Sequence, residues 1–143
     1  MLFGKRKRHV KRVLIIEDEP LTAFDNEMLI EDAGFVVVAT HDHFEDAVAE
    51  LDAQEIDIIF SDVRLRGDKT GIEVAEEAKK RGVPVVFVTG HAPDNAHELA
   101  IALLKKPYKD RQLKAALDAI DRHCAGECPD PVEGLELFPL SKD

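Results

Sequence analysis

Glu17, Asp18 and Glu19 stand in a row behind a short apolar run, and Asp62 follows a second such run, after Ser61. Thr89 closes a third run, and Lys106, just before Pro107, closes a fourth. Carboxylates brought together repel one another unless a cation joins them. A hard divalent cation such as Mg2+ takes an octahedron of oxygens, keeps several waters, and is usually held by one or two carboxylates plus phosphate. Glu17, Asp18 and Asp62 would supply such ligands, directly or through water. A backbone carbonyl just past Asp62, that of Arg64, would add another. With the metal neutralising its charge, Asp62 would be a nucleophile towards phosphorus. Lys106 would pair with a phosphoryl oxygen as a point charge, and Thr89 would donate its hydroxyl to a second oxygen.

Each of these residues also has a plainer reading. An acidic pair after a strand is often a solvated helix start, and a lone Asp there is often an N-cap. Lys-Pro is a common loop pair, and Thr at a strand end reflects β-propensity. The joint occurrence, in this order and each at the end of an apolar run, is what points to a site.

The elements that must position them alternate along the chain. Val13–Ile16, Val36–Ala39, Ile56–Phe60, Val83–Val88 and the weaker Ala102–Leu104 are apolar on successive residues, as parallel strands covered on both faces are. Between them the spacing is helical. Leu21, Phe24 and Met28 fall at i, i+3 and i+7, with Pro20 suited to the first turn and Gly34 to the stop. Phe44, Val48 and Leu51 repeat the pattern, as do Ile72, Ala75 and Ala78. Leu113, Leu117 and Ile120 close the series, with Asp110 as a candidate N-cap. Pro93–Ala100 is a short, polar, weakly specified helix. Strand and helix alternate five times, which predicts an α/β fold: a doubly wound, five-stranded parallel sheet with helices on both faces, in a single domain. The order 2-1-3-4-5 leads among the right-handed topologies, and ligands then sit outside the carboxyl ends of the strands.

Composition narrows the function. The chain has 143 residues and a net charge of −10, with 29 acidic and 19 basic residues. Lys5, Arg6, Lys7, Arg8, Lys11 and Arg12 crowd into the first twelve residues, so the rest is more acidic than the whole. Such a body repels nucleic-acid phosphates, which argues against DNA binding. The basic start reads as a short solvated arm, residues 1–10. Residues 124–143, rich in proline, read as a tail. No apolar run is long enough to span a membrane, and no signal-peptide cleavage pattern follows the basic start, so a cytoplasmic location is expected. Cys124 and Cys128, with His123, offer three zinc ligands at most and are read as reduced thiols.

Val13-Leu-Ile-Ile-Glu-Asp-Glu-Pro20, Phe60-Ser-Asp-Val-Arg-Leu65, Val88-Thr-Gly90 and Lys105-Lys-Pro-Tyr108 together resemble the receiver domain of two-component response regulators. The resemblance covers about residues 11–123 and implies a flavodoxin-like domain. It implies that Asp62 accepts a phosphoryl group, with Mg2+, from a histidine kinase or a histidine phosphotransfer protein. It also implies that Lys106–Pro107 is cis. Two positions depart from the family pattern. Leu103 stands where most receivers carry an aromatic switch residue, and Arg66 where most carry proline. Pro84-Val-Val-Phe-Val-Thr-Gly90 is similar to the Pro-Phe-x-Phe-Ala-Thr-Gly signature of stand-alone receivers from alphaproteobacteria, with Val85 and Val88 replacing its Phe and Ala. That subgroup is tied to the general stress response.

Rival readings fit less well. A haloacid-dehalogenase-like phosphatase needs a second Asp two residues after its nucleophile, where this chain has Arg64. A flavodoxin-like binding module needs a Ser/Thr/Gly-rich phosphate loop where Glu17-Asp18-Glu19 stand. A receiver that no longer takes phosphate would have lost some of its chemical positions, and all are filled. The expected protein is therefore a phosphoryl-accepting signalling domain, not an enzyme with its own substrate. Its output is docking on a downstream protein effector, draining phosphate from a shared kinase, or passing phosphate on.

Overall fold

A computed structural model describes residues 8–65 and 67–140 of the chain. The strands are β1 (Arg12–Ile16), β2 (Val36–His41), β3 (Ile58–Ser61), β4 (Val85–Thr89), β5 (Ala102–Lys105) and β6 (Leu135–Leu137). The helices are α1 (Pro20–Asp32), α2 (Phe44–Ala53), α3 (Gly71–Lys80), α4 (Ala96–Leu99) and α5 (Asp110–Cys124). The sheet order is β2-β1-β3-β4-β5-β6. The first five strands are parallel and follow the 2-1-3-4-5 order read from the sequence.

Because successive side chains of a strand point to opposite faces, a run that is apolar throughout feeds two cores. Val13, Ile15, Phe60, Val86 and Val88 pack on one face with Ile30 of α1 and with Leu113, Leu117 and Ile120 of α5. Leu14, Ile16, Ile59, Val85 and Phe87 pack on the other with Ala47 and Leu51 of α2 and with Val74, Ala75 and Ala78 of α3. Burying each such aliphatic side chain contributes on the order of 1.5–3 kcal/mol.

Four details differ from the sequence reading. The apolar stripe of α1 faces outward: Leu21, Phe24 and Met28 are 75%, 58% and 57% exposed, while Ala23, Asn26 and Ile30 face the sheet. Asp110 is the first residue of α5 and Lys109 its cap, with the Lys109 N–H donating to Gln112 Oε1 at 2.8 Å. The proline-rich tail contains a sixth strand, β6, antiparallel to β5. The end of the basic arm is packed rather than solvated. Val10 is buried, and the His9 and Val10 N–H groups donate to the fully buried Asp121 carboxylate at 2.8 and 2.9 Å. Arg8 pairs with Asp118 at 2.9 Å and lies 5.0 Å from the centre of the Phe35 ring. Residues 1–7 of the arm, and Arg66, lie outside the described residues.

Candidate functional site

The carboxyl ends of β1, β3, β4 and β5 meet along one edge of the sheet. Backbone bonds fix the positions. The Asp62 N–H donates to Ile16 O at 2.9 Å, extending the β1–β3 ladder by one residue. The Glu17 N–H donates to His41 O at 2.9 Å, and the Lys106 N–H to Thr89 O at 2.9 Å. The Lys106–Pro107 peptide is cis, as the resemblance implied.

Lys106 lies between two carboxylates. Its Nζ is 3.0 Å from Glu17 Oε1 and 3.0 Å from Asp62 Oδ2. Glu17 is 6% exposed. Burial pushes its carboxyl above the usual glutamate value, against the opposing pull of the Lys106 ammonium. Burial also disfavours the charge on Lys106, but its bonds to Glu17 and Asp62 outweigh this and raise its pKa. The ammonium therefore stays charged throughout the neutral range. Oxygens of Glu17, Asp18 and Asp62 all lie within 4.8 Å of one another. This all-oxygen set, partly buried and already held together by one cation, fits Mg2+.

The flanking loops are pinned to the site. The Arg64 N–H donates to Asp62 Oδ1 at 3.1 Å, and Ser61 Oγ donates to Asp62 O at 2.8 Å. Tyr108 Oη donates to the buried Asn26 Oδ1 at 2.9 Å, tying the loop after Lys106 to α1. Thr89 is buried, and its hydroxyl is engaged within its own loop. It accepts from the His91 N–H at 3.1 Å and donates to His91 O at 3.2 Å.

The spacing argument missed Gly71. A Cβ there would lie 2.1 Å from the backbone oxygen of Asp62. The Gly71 N–H also donates to Val63 O at 2.7 Å, so the start of α3 rests against the loop that carries Asp62. Its signal in the sequence is faint: a glycine after Thr70, whose side chain forms a capping box with Glu73.

A family model described as the response regulator receiver domain matches residues 13–118. The chain belongs to that family. The receiver is 30% identical over 115 residues to the phyllosphere-induced regulator PhyR of Methylorubrum extorquens, covering 73% of this chain and 41% of that protein. Among solved structures, it is similar to SdrG of Sphingomonas melonis Fr1, with 32% identity and a TM-score of 0.65, covering 78% of this chain and 96% of that one. PhyR of Brucella abortus gives 26% identity and a TM-score of 0.70 over 84% of this chain and 51% of that one. The first curated relatives are longer, and the chain spans 41–60% of their length. Receivers are signalling domains of two-component systems, not enzymes of the ordinary kind. Among the described residues no helix is long and apolar enough to cross a membrane.

Leu103, at the family's aromatic position, is 7% exposed and lies in the same apolar cluster as Ala96, Ala100 and Phe138.

Proposed function

We propose that this receiver accepts a phosphoryl group on Asp62, in the presence of Mg2+, from a histidine kinase or a histidine phosphotransfer protein. The observation that carries this reading is Lys106 Nζ at 3.0 Å from both Glu17 and Asp62, beside a third carboxylate, Asp18. In the transfer, an Asp62 carboxylate oxygen forms a bond to phosphorus as the donor's P–N bond breaks, and the imidazole leaves with the electron pair. Water later cleaves the acyl phosphate, returning the carboxylate and inorganic phosphate. Glu17, Asp18, Asp62 and the Arg64 carbonyl would hold Mg2+. The metal supplies charge neutralisation for the attack and the transferred group. Lys106 then turns to a phosphoryl oxygen, and the Thr89 hydroxyl gives up His91 to donate to another.

The output is phosphorylation-dependent protein docking on the face built from α4, β5 and α5. Movement of Thr89 releases the loop at 90–94 and shifts α4, which at four residues is the shortest helix among the described residues. Similarity to PhyR proteins, one of which, from Bartonella quintana, is described as an anti-anti-sigma factor, supports a protein effector and a place in the general stress response. The acidic body supports a partner other than DNA.

The test is labelling with a phosphorylated histidine partner or acetyl phosphate in Mg2+. Wild type should label and Asp62→Asn should not. Label persisting at the wild-type level in Asp62→Asn would remove the acceptor assignment.

A further inference from the structure

The outer strand of a sheet presents a row of unpaired N–H and C=O groups unless something covers it. Without β6, that outer strand would be β5. The chain's own residues 134–138 cover it. In β6, Leu137 stands opposite Ala102, Glu136 opposite Leu103, and Leu135 opposite Leu104. The backbone contacts extend past both ends: the Lys105 N–H donates to Gly134 O at 2.8 Å, and the Phe138 N–H to Ile101 O at 2.9 Å.

The side-chain hold is thin. Leu135 and Leu137 are half-buried against the core, Glu136 is exposed, and Phe138 is the one buried side chain of this segment. Phe138 packs in the cluster of Ala96, Ala100 and Leu103. The ring of His97 meets it edge-on at 6.5 Å, and its carbonyl oxygen is 2.7 Å from Nε2 of His123 at the end of α5. A short segment thus touches α4, β5 and α5 together. These elements form the face assigned to output, and the segment lies beyond residue 118, where the match to the family ends.

Two physical routes join this segment to the site. Lys105, whose N–H is held by Gly134, is the neighbour of Lys106. The Thr89 hydroxyl holds His91 in the loop that leads to Ala96 and His97, both against Phe138. A phosphoryl group that drew Thr89 and Lys106 towards Asp62 would therefore pull on both ends of the 134–138 segment.

We propose that the edge of β5 is a strand-accepting docking site and that residues 134–138 fill it as a built-in competitor. Phosphorylation of Asp62 opens it to an extended segment of a partner protein. The seated segment defines the partner's chemistry: an antiparallel strand with two aliphatic side chains at alternate positions, an acidic or polar residue between them facing water, and an aromatic residue next to fill the Phe138 position. Strand addition of this kind takes affinity from backbone bonds and specificity from alternate side chains. The proposal rests on the output reading above only for its trigger.

The probe is a fluorescein-labelled peptide with the sequence of residues 131–140, added to the full chain and followed by anisotropy. Unactivated wild type should bind it weakly. Beryllofluoride with Mg2+ should tighten binding at least tenfold. Phe138→Ala, and separately the half-buried pair Leu135→Glu/Leu137→Glu, should bind it comparably tightly without activation, and a peptide carrying Phe138→Ala should bind none of them. Failure of both sets of variants to gain binding would overturn the docking site. Amide exchange separates the trigger from the site. Changes at 89–106 with 134–138 still protected would overturn the competitor role while leaving the switch intact. No change anywhere on beryllofluoride addition, with the variants still binding peptide, would overturn phosphorylation as the trigger and leave the site standing. An activation-dependent dimer that exchanges its tails would overturn the partner-protein assignment in favour of a second copy of this chain.

Discussion

As the proposed acceptor, Asp62 needs its backbone held while its side chain stays reachable, and Gly71 shows how closely its backbone is held. An added methyl at this position meets the Asp62 carbonyl at 2.1 Å, and backbone cannot swing aside as a flexible side chain would. Gly71→Ala should therefore cost about 1–3 kcal/mol of stability. It should also slow phosphoryl uptake by on the order of tenfold or more, since small misplacement of a reacting group is expensive. Wild-type melting and wild-type labelling rate in this variant would show that the loop has slack. The two cysteines give an independent reading of burial at the same scale. Burial pushes the Cys124 thiol up to about 11, whereas Cys128 is exposed. The thiolate is the reactive form, so iodoacetamide at pH 8 should modify Cys128 first and Cys124 roughly 100-fold more slowly. Equal rates by mass spectrometry would mean that the end of α5 opens readily.

At the level of elements, the strands were legible because a run apolar on successive residues can be satisfied only with cover on both faces. Val13–Ile16 and Val85–Val88 do this. The chemistry was legible because four strand ends carry it. Helix α1 was legible as a helix but not in its orientation. Leu21, Phe24 and Met28 have the same spacing as Ala23, Asn26 and Ile30, and the two stripes lie on nearly opposite sides, since two residues turn about 200°. Periodicity cannot choose between them. The close approach to the sheet favours the smaller set, and Tyr108 fixes it through Asn26. This orientation has a testable consequence. Ile30→Ala should destabilise by about 2–5 kcal/mol, and Phe24→Ala by under about 1 kcal/mol, as at exposed positions. Urea melts giving similar losses for both would contradict the orientation. Strand β6 was hidden for another reason: with three residues it is too short for alternation to register, and its neighbours are proline and glycine.

Over the whole molecule, the site sets the charge required for function against the stability of the fold. The charged residues beyond the basic start are predominantly acidic, and the site places three carboxylates against one ammonium at the end of a buried sheet. Without metal, this concentration of like charge opposes compaction. A divalent cation that binds the folded state and not the unfolded one stabilises it by mass action. In wild type, Mg2+ should therefore raise Tm progressively as the site saturates. Asp18→Asn keeps the shape of the side chain and removes one of the repelling charges. The Mg2+-dependent rise should vanish in this variant, and calorimetric titration should detect no binding. Glu17→Gln should retain part of the rise, because the longer side chain would hold the ion through water and Asp18 and Asp62 remain. For a chain of this size, 1 kcal/mol corresponds to roughly 2–4 °C, so these differences are measurable. A Mg2+-dependent rise surviving in Asp18→Asn would place the ion elsewhere.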